Sequence, residues 1–204
     1  MVRPPAGAVA VRYSGGVTDR KPLRDPIVDE HVLREGKAYS FVELTLRQQD
    51  GSTRPKPIVR HSGAALVVPV IEQPGRSPKI VFVVNDRHTI NERLLELPAG
   101  CIDSGETPEE TAARELQEET GYQATSLYPL ERFYTTPGLT DELMHTYVGT
   151  GLNQVGQNLE ADESLEVRVL TSTEVGSLLE RGELMDGKTI LALMAAHRRG
   201  YVSL

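Results

Sequence analysis

The sequence has no tryptophan, one cysteine and only 5% aromatic residues among its 204. A single thiol, Cys101, cannot form an internal disulfide. That excludes a small disulfide-stapled secreted domain and fits a reducing compartment such as the cytoplasm. No apolar run approaches the roughly eighteen residues a membrane helix needs; the longest, Ala64–Ile71, has the length of a strand. The start, Met1-Val2-Arg3-Pro4-Pro5, lacks the apolar stretch of a secretory signal. A basic excess is missing too. Asp and Glu number 29 against 22 Lys and Arg, a net charge of −7, whereas a sequence-independent nucleic-acid binder needs a surface that replaces phosphate counterions. An acidic protein that handles phosphates needs metal ions to bridge the like charges. Any aromatic clamp must come from seven Tyr and three Phe.

What is present is ordinary for a globular chain: 39% hydrophobic and 25% charged residues, with enough length for one to two domains and a substantial core. Residues 1–36 read as irregular, rich in Pro and Gly, with scattered arginines, either an ordered or frayed arm or a basic recognition tail. From Lys37 the pattern turns to strands. Tyr39–Arg47 alternates into Gln48-Gln49-Asp50-Gly51, a hairpin signal. Gly63–Ile71 and Lys79–Val84, split by Gln73-Pro74-Gly75, read as paired core strands. Ser126–Tyr134, Leu143–Gly151 and a short Val167–Leu170 follow, then a helix capped at Thr171 or Ser172 and another over Thr189–Arg199. The order predicts a mixed α/β layer fold, with a β unit over 1–60 and a main domain over 61–204.

The informative stretch runs from Gly100 to Gly121. Thr107 suits an N-cap, Pro108 the first helical position and Glu110 the third position of a capping box, while Gly121 terminates. A helix over 108–120 follows. On it Glu115, Glu118 and Glu119 fall at i, i+3 and i+4 and share a face, while Ala112 and Leu116 make an apolar stripe for packing on a sheet. Like charges at such spacing each cost about 0.2–0.5 kcal/mol in an isolated helix. A solvated acidic face is the plain reading; a hard divalent cation, held by carboxylate oxygens, water and substrate phosphates, is the reading that turns the cost to use.

The flanking residues decide between them. Gly100, Glu106, Arg114-Glu115, Leu116, Glu118-Glu119 and Gly121 stand in the pattern that resembles the signature of the Nudix hydrolases, with Tyr122 in place of the usual aliphatic residue. Leu95-Glu96-Leu97-Pro98-Ala99 before it, Pro137 sixteen residues after Gly121, and Asp186-Gly187-Lys188-Thr189-Ile190 are similar to the ADP-ribose pyrophosphatase group. The resemblance implies a mixed sheet sandwiched between helices, with a small N-terminal antiparallel β unit, and a Mg²⁺-dependent (alternatively Mn²⁺-dependent) cleavage of ADP-ribose to AMP and ribose 5-phosphate. Other nucleoside diphosphate sugars of uridine or guanosine, or ADP-ribose sensing without turnover, are the alternative functions. It implies Glu115, Glu118, Glu119 and the carbonyl of Ala99 as metal ligands, and Arg114 as the orienting partner of a carboxylate such as Glu106.

In that group the general base tends to come from a late acidic loop, here Asn158–Ser164, with Glu163 the first candidate and Glu160 and Asp162 next; an ordinary acidic surface loop is the alternative. Arg87 is placed near the phosphates, where a guanidinium grips in bidentate fashion, or else is a strand-end surface residue. Pro137 and Glu142 join it as substrate contacts, Glu142 on the distal ribose. Relatives stack the base between aromatics of the N-terminal unit, sometimes across a homodimer; only Tyr39 and Phe41 are near at hand here. Gly182–Thr189 formally matches a phosphate-binding loop, but it follows a helix and carries Glu183 and Asp186, so it reads as a connection. The five histidines show no metal-ligand spacing, and Cys101 has no paired histidine in sequence.

Overall fold

The computed structural model describes residues 23–158 and 165–204. The first three strands, β1 (Ile27–Arg34), β2 (Tyr39–Arg47) and β3 (Thr53–His61), form an antiparallel sheet in the order β1-β2-β3. The hairpin at 48–52 joins β2 to β3 as its turn residues predict, Gln48 N–H donating to the Ser52 carbonyl at 2.8 Å. Strand β1 departs from expectation, since 1–36 read as irregular. All eight of its residues are exposed, so Ile27-Val28-Asp29-Glu30-His31-Val32-Leu33-Arg34 carries no one-sided burial to impose a two-residue alternation. Its evidence is pairing with β2, from Ile27 opposite Leu46 to Arg34 opposite Phe41.

The main sheet contains β4 (Ala64–Ile71), β5 (Lys79–Arg87), β6 (Glu92–Glu96), β7 (Ala99–Cys101), β8 (Tyr122–Tyr134), β9 (Leu143–Gln154) and β10 (Glu166–Thr171). The order is β10-β5-β4-β9-β8, with β6 beside β5 and β7 beside β4. Only β4 and β9 run parallel. Strands β4 and β5 pair at Val70–Ile80 and Ile71–Lys79, and β4 gives its other end, Ala64–Leu66, to β7.

Among the described residues three helices complete the layers: α1 (Pro108–Thr120), α2 (Ser172–Glu180) and α3 (Gly187–Arg198). Alternate residues of β4 explain why both of its faces are apolar. Ala65 and Val67 pack with Ala112 and Leu116 of α1. Leu66, Val68 and Val70 join Phe82, Val175, Ala192, Leu193 and Ala196 on the other side, under α2 and α3. The mixed sheet lies between helices, with the small antiparallel sheet alongside. Helix α3 starts two residues earlier than the apolar pattern suggests, because the Asp186 carboxylate caps it by accepting from Thr189 N–H at 3.0 Å.

The small sheet is tied to the main one by backbone. Val59 N–H donates to the Leu139 carbonyl at 2.9 Å. The Asp141 carboxylate accepts from His61 N–H and from Arg60, each at 2.9 Å.

Candidate active site

Helix α1 begins as its sequence dictates. Thr107 and Glu110 form the reciprocal capping box, and Gly121 closes the helix at φ 74° with its N–H on the Gln117 carbonyl. A side chain at Gly121 would be strained at that φ and would press on Gly156 and Gln157. The same end is tied to the chain leaving β9: Val155 and Gly156 N–H donate to the Gly121 carbonyl, and Asn158 N–H to that of Glu118 at 3.1 Å. Gln157 Nε2 donates to the Glu119 carbonyl at 2.7 Å. Asn158, where the acidic segment begins, is thus held at the end of the helix that bears the glutamates. Glu160, Asp162 and Glu163 themselves lie outside the described residues.

The glutamate face is less solvated than a charge run suggests. Glu115 and Glu119 are buried, and Glu118 is half-buried. Glu119 accepts from Ala99 N–H at 3.0 Å, coupling the helix to β7. Glu115 lies so close to Gly100 that an added Cβ would overlap its carboxylate; only glycine lets the carboxylate rest against the strand. Arg114 links several of these groups. Its Nε and Nη2 grip Glu106 at 2.9 and 3.0 Å, Nη2 reaches the Cys101 carbonyl at 3.2 Å, and Nη1 donates to Glu115 at 2.7 Å and Glu118 at 3.0 Å. The Arg114 fork, helped by the Thr111 hydroxyl, holds the Glu106 carboxyl down at about 2. Among the described residues no three His, Cys, Asp or Glu side chains are drawn tightly enough together to share one ion; Arg114 Nη1 sits between two of the glutamates. The donors are nonetheless hard oxygens on one helical face, set against β7, which suits a hard divalent cation.

Strand β7 divides two clefts. On one side a hollow of about 240 Å³ is lined by Lys37, Asp103, Arg114, Glu115 and Glu118 with Ala99–Cys101. On the other, a cleft of about 650 Å³ is lined by the same strand with His61, Arg87, Thr135, Thr136, Glu142, Asp186 and Lys188, and by Phe133, Met144 and Leu191. Arg87 faces this cleft, but its Nε and Nη2 already hold Glu96, both at 2.6 Å. Glu142 also lines it, accepting from the Thr135 hydroxyl and lying 3.8 Å from His61 Nε2. Pro137 is exposed on the turn that follows Thr136 and is not part of the cleft wall. Tyr39 and Phe41 are half exposed and meet edge to face at 6.0 Å, with Tyr39 stacked parallel to His61 at 6.4 Å.

The sequence reading passed over three residues here. His61 Nδ1 accepts from Gly63 N–H at 3.0 Å, and its Nε2 lies 3.8 Å from both Glu142 and the Cys101 thiol. Burial, with Glu142 and Glu115 nearby, pushes the Cys101 thiol up and away from a reactive thiolate. Glu96 and Lys188 are the other two. The local signal at Lys188 was the Asp186-Gly187-Lys188-Thr189 segment itself, which walls the cleft without forming a phosphate-binding loop.

The NUDIX domain matches residues 60–193. The chain is 33% identical to an ADP-ribose pyrophosphatase of Bacillus subtilis (strain 168), over 85% of this chain and 92% of that protein. It is 36% identical to the methanol dehydrogenase activator of Bacillus methanolicus, over 82% and 92% respectively. A solved structure of an ADP compounds hydrolase superposes with a TM-score of 0.73 at 19% identity, covering 88% of this chain and 95% of that one, a likeness of fold. The chain belongs to the Nudix hydrolase family.

Proposed function

We propose that the protein is a Mg²⁺-dependent pyrophosphohydrolase of nucleoside diphosphate sugars, cleaving ADP-ribose to AMP and ribose 5-phosphate. One observation carries this reading: β7 sets an acidic hollow beside a cleft that Arg87 and Lys188 line, so a diphosphate lying across Ala99–Cys101 meets both. Glu115, Glu118, Glu119 and the Ala99 carbonyl are the residues that would hold Mg²⁺ or Mn²⁺. When bound, the metal offsets diphosphate charge and lowers the pKa of an attacking water. Arg114 orients the set by anchoring on Glu106. Glu163, five residues beyond Asn158, is the general base of this proposal. Arg87 binds phosphate, Glu142 takes sugar hydroxyls, and Pro137 shapes the turn beside them.

Residues 1–60 serve as the dimerisation and base-binding unit and 61–204 as the catalytic domain. We place the enzyme in the cytoplasm, in keeping with its free cysteine; no helix among the described residues is long and apolar enough to cross a membrane. The test is hydrolysis, with Mg²⁺, of ADP-ribose, UDP-glucose, GDP-mannose, NADH and diadenosine polyphosphates. ADP-ribose is expected to have the highest kcat/KM. Preference for a uridine or guanosine sugar overturns the substrate assignment, and tight ADP-ribose binding without turnover makes the protein a sensor. Sedimentation of the full chain is expected to give a dimer; a monomer refutes that part.

A further inference from the structure

Glu96 is the most deeply buried acid of the described residues, at 1% exposure. A carboxylate in that position is costly unless paired and fully hydrogen-bonded. One bidentate guanidinium suffices for that, and Arg87 supplies it from β5. Yet Lys188, from the first turn of α3 and 92 residues away in sequence, also donates to Glu96 Oε2. Lys188 in turn reaches the Asp186 carboxylate at 2.9 Å. The four charges sum to zero but are layered. The Glu96 and Asp186 side chains are 2% and 13% exposed, while those of Arg87 and Lys188 are 39% and 17% exposed. Glu96 lies inward, while Arg87, Lys188 and Asp186 line the cleft. Buried neighbours fix this arrangement: Leu97 N–H donates to the Thr189 hydroxyl at 2.9 Å, locking the α3 start to the end of β6.

We infer that Lys188 contacts a phosphate oxygen of the substrate, and that Glu96 is a positioning residue holding Arg87 and Lys188 as a preformed cation pair. A guanidinium offers five N–H groups and an ammonium three. Glu96 takes two from Arg87, and Glu96 and Asp186 take two from Lys188, so both heads keep donors for an anion. Because neither head must first be ordered, the pair binds at small entropic cost. This rests on the reading that the cleft takes a nucleoside diphosphate derivative.

The deciding variant is Lys188→Met, with Lys188→Arg as rescue. Calorimetric titration of ADP with Mg²⁺ is expected to show binding about tenfold weaker in Lys188→Met, near wild type in Lys188→Arg, with adenosine, which lacks phosphates, changed less than about twofold. In turnover, Lys188→Met is expected to raise KM about tenfold while kcat moves less than about threefold, since the contact is made in the bound substrate as well as the transition state. Glu96→Gln is expected to raise KM in the same direction; it is interpreted with its thermal midpoint, because it removes a buried charge beneath two cations. ADP weakened no more than adenosine, or ADP bound by no variant, overturns the inference. The two readings separate: hydrolysis of the sugar panel with KM unchanged in Lys188→Met sinks the cation pair alone. Discrimination of ADP from adenosine without any hydrolysis sinks the hydrolase reading alone.

Discussion

Two ion clusters flank β7, and they are built in opposite senses. On the α1 side one guanidinium, Arg114, is shared among Glu106, Glu115 and Glu118. On the α3 side two cations, Arg87 and Lys188, converge on the single carboxylate of Glu96. The first cluster has carboxylate capacity to spare and suits a cation; the second presents donors and suits an anion. A salt-bridge inventory would count them alike. What separates them is the ratio at the shared group: three carboxylates to one guanidinium beside α1, two cations to one carboxylate beside α3.

The largest expected effect tests whether the α1 side acts on the chemical step. Glu119→Gln is expected to lower kcat by about 10²-fold or more, the scale of losing one preorganised electrostatic partner at a reacting centre, while the wild-type fold persists by circular dichroism. Equal turnover breaks the contrast with the α3 side, whose variants act on KM. Because Glu119 is buried and accepts from Ala99 N–H, where the acidic run suggested a solvated site, some stability is expected to go with the activity.

Gly100→Ala comes next. Its Cβ would overlap the Glu115 carboxylate, so the glutamate or the strand must shift, at about 1–3 kcal/mol of stability, read as a lower urea midpoint, together with lost turnover. Retained activity would show that Glu115 has freedom the structure does not suggest.

Glu106→Gln sharpens the comparison through pH. The carboxyl is held at about 2 against an ordinary 4.5. Its stabilising contribution is therefore complete above about 4.5 and is lost as pH falls through the folded value of about 2. The thermal midpoint of metal-free wild type is expected to exceed that of Glu106→Gln at pH 7, with the gap closing between those two values. A gap that stays constant over that window would mean the ion pair contributes nothing.

The smallest effect is that of Thr107→Ala. Losing the N-cap costs about 1 kcal/mol, seen in the thermal midpoint, with turnover within about twofold. A large loss of turnover would mean that α1 stability, and not its carboxylates, limits activity.

Much of this was legible locally. The helix over 108–120 is written in Thr107, Pro108, Glu110 and Gly121, and the shared face of Glu115, Glu118 and Glu119 follows from helical spacing. The hairpin at Gln48–Gly51 and the apolar β4 are equally local. Strand β1 was not, because with every residue exposed its sequence holds no buried face to reveal it. Strands β6 and β7 were missed for brevity, five and three residues each. The bond between Glu119 and Ala99 joins a helix to a strand, and no spacing rule reports it.

By itself the sequence determined the capped helix, its acidic face and the alternating strands that bury apolar side chains, since each depends on neighbours within a few residues. Tertiary structure alone decided which of those glutamates are buried, that Gly100 leaves room for Glu115, and that Glu96 would meet Arg87 and Lys188. Such facts depend on strand register and helix placement, which bring together groups such as Glu96 and Lys188, 92 residues apart, and charge takes its meaning from the partners that result.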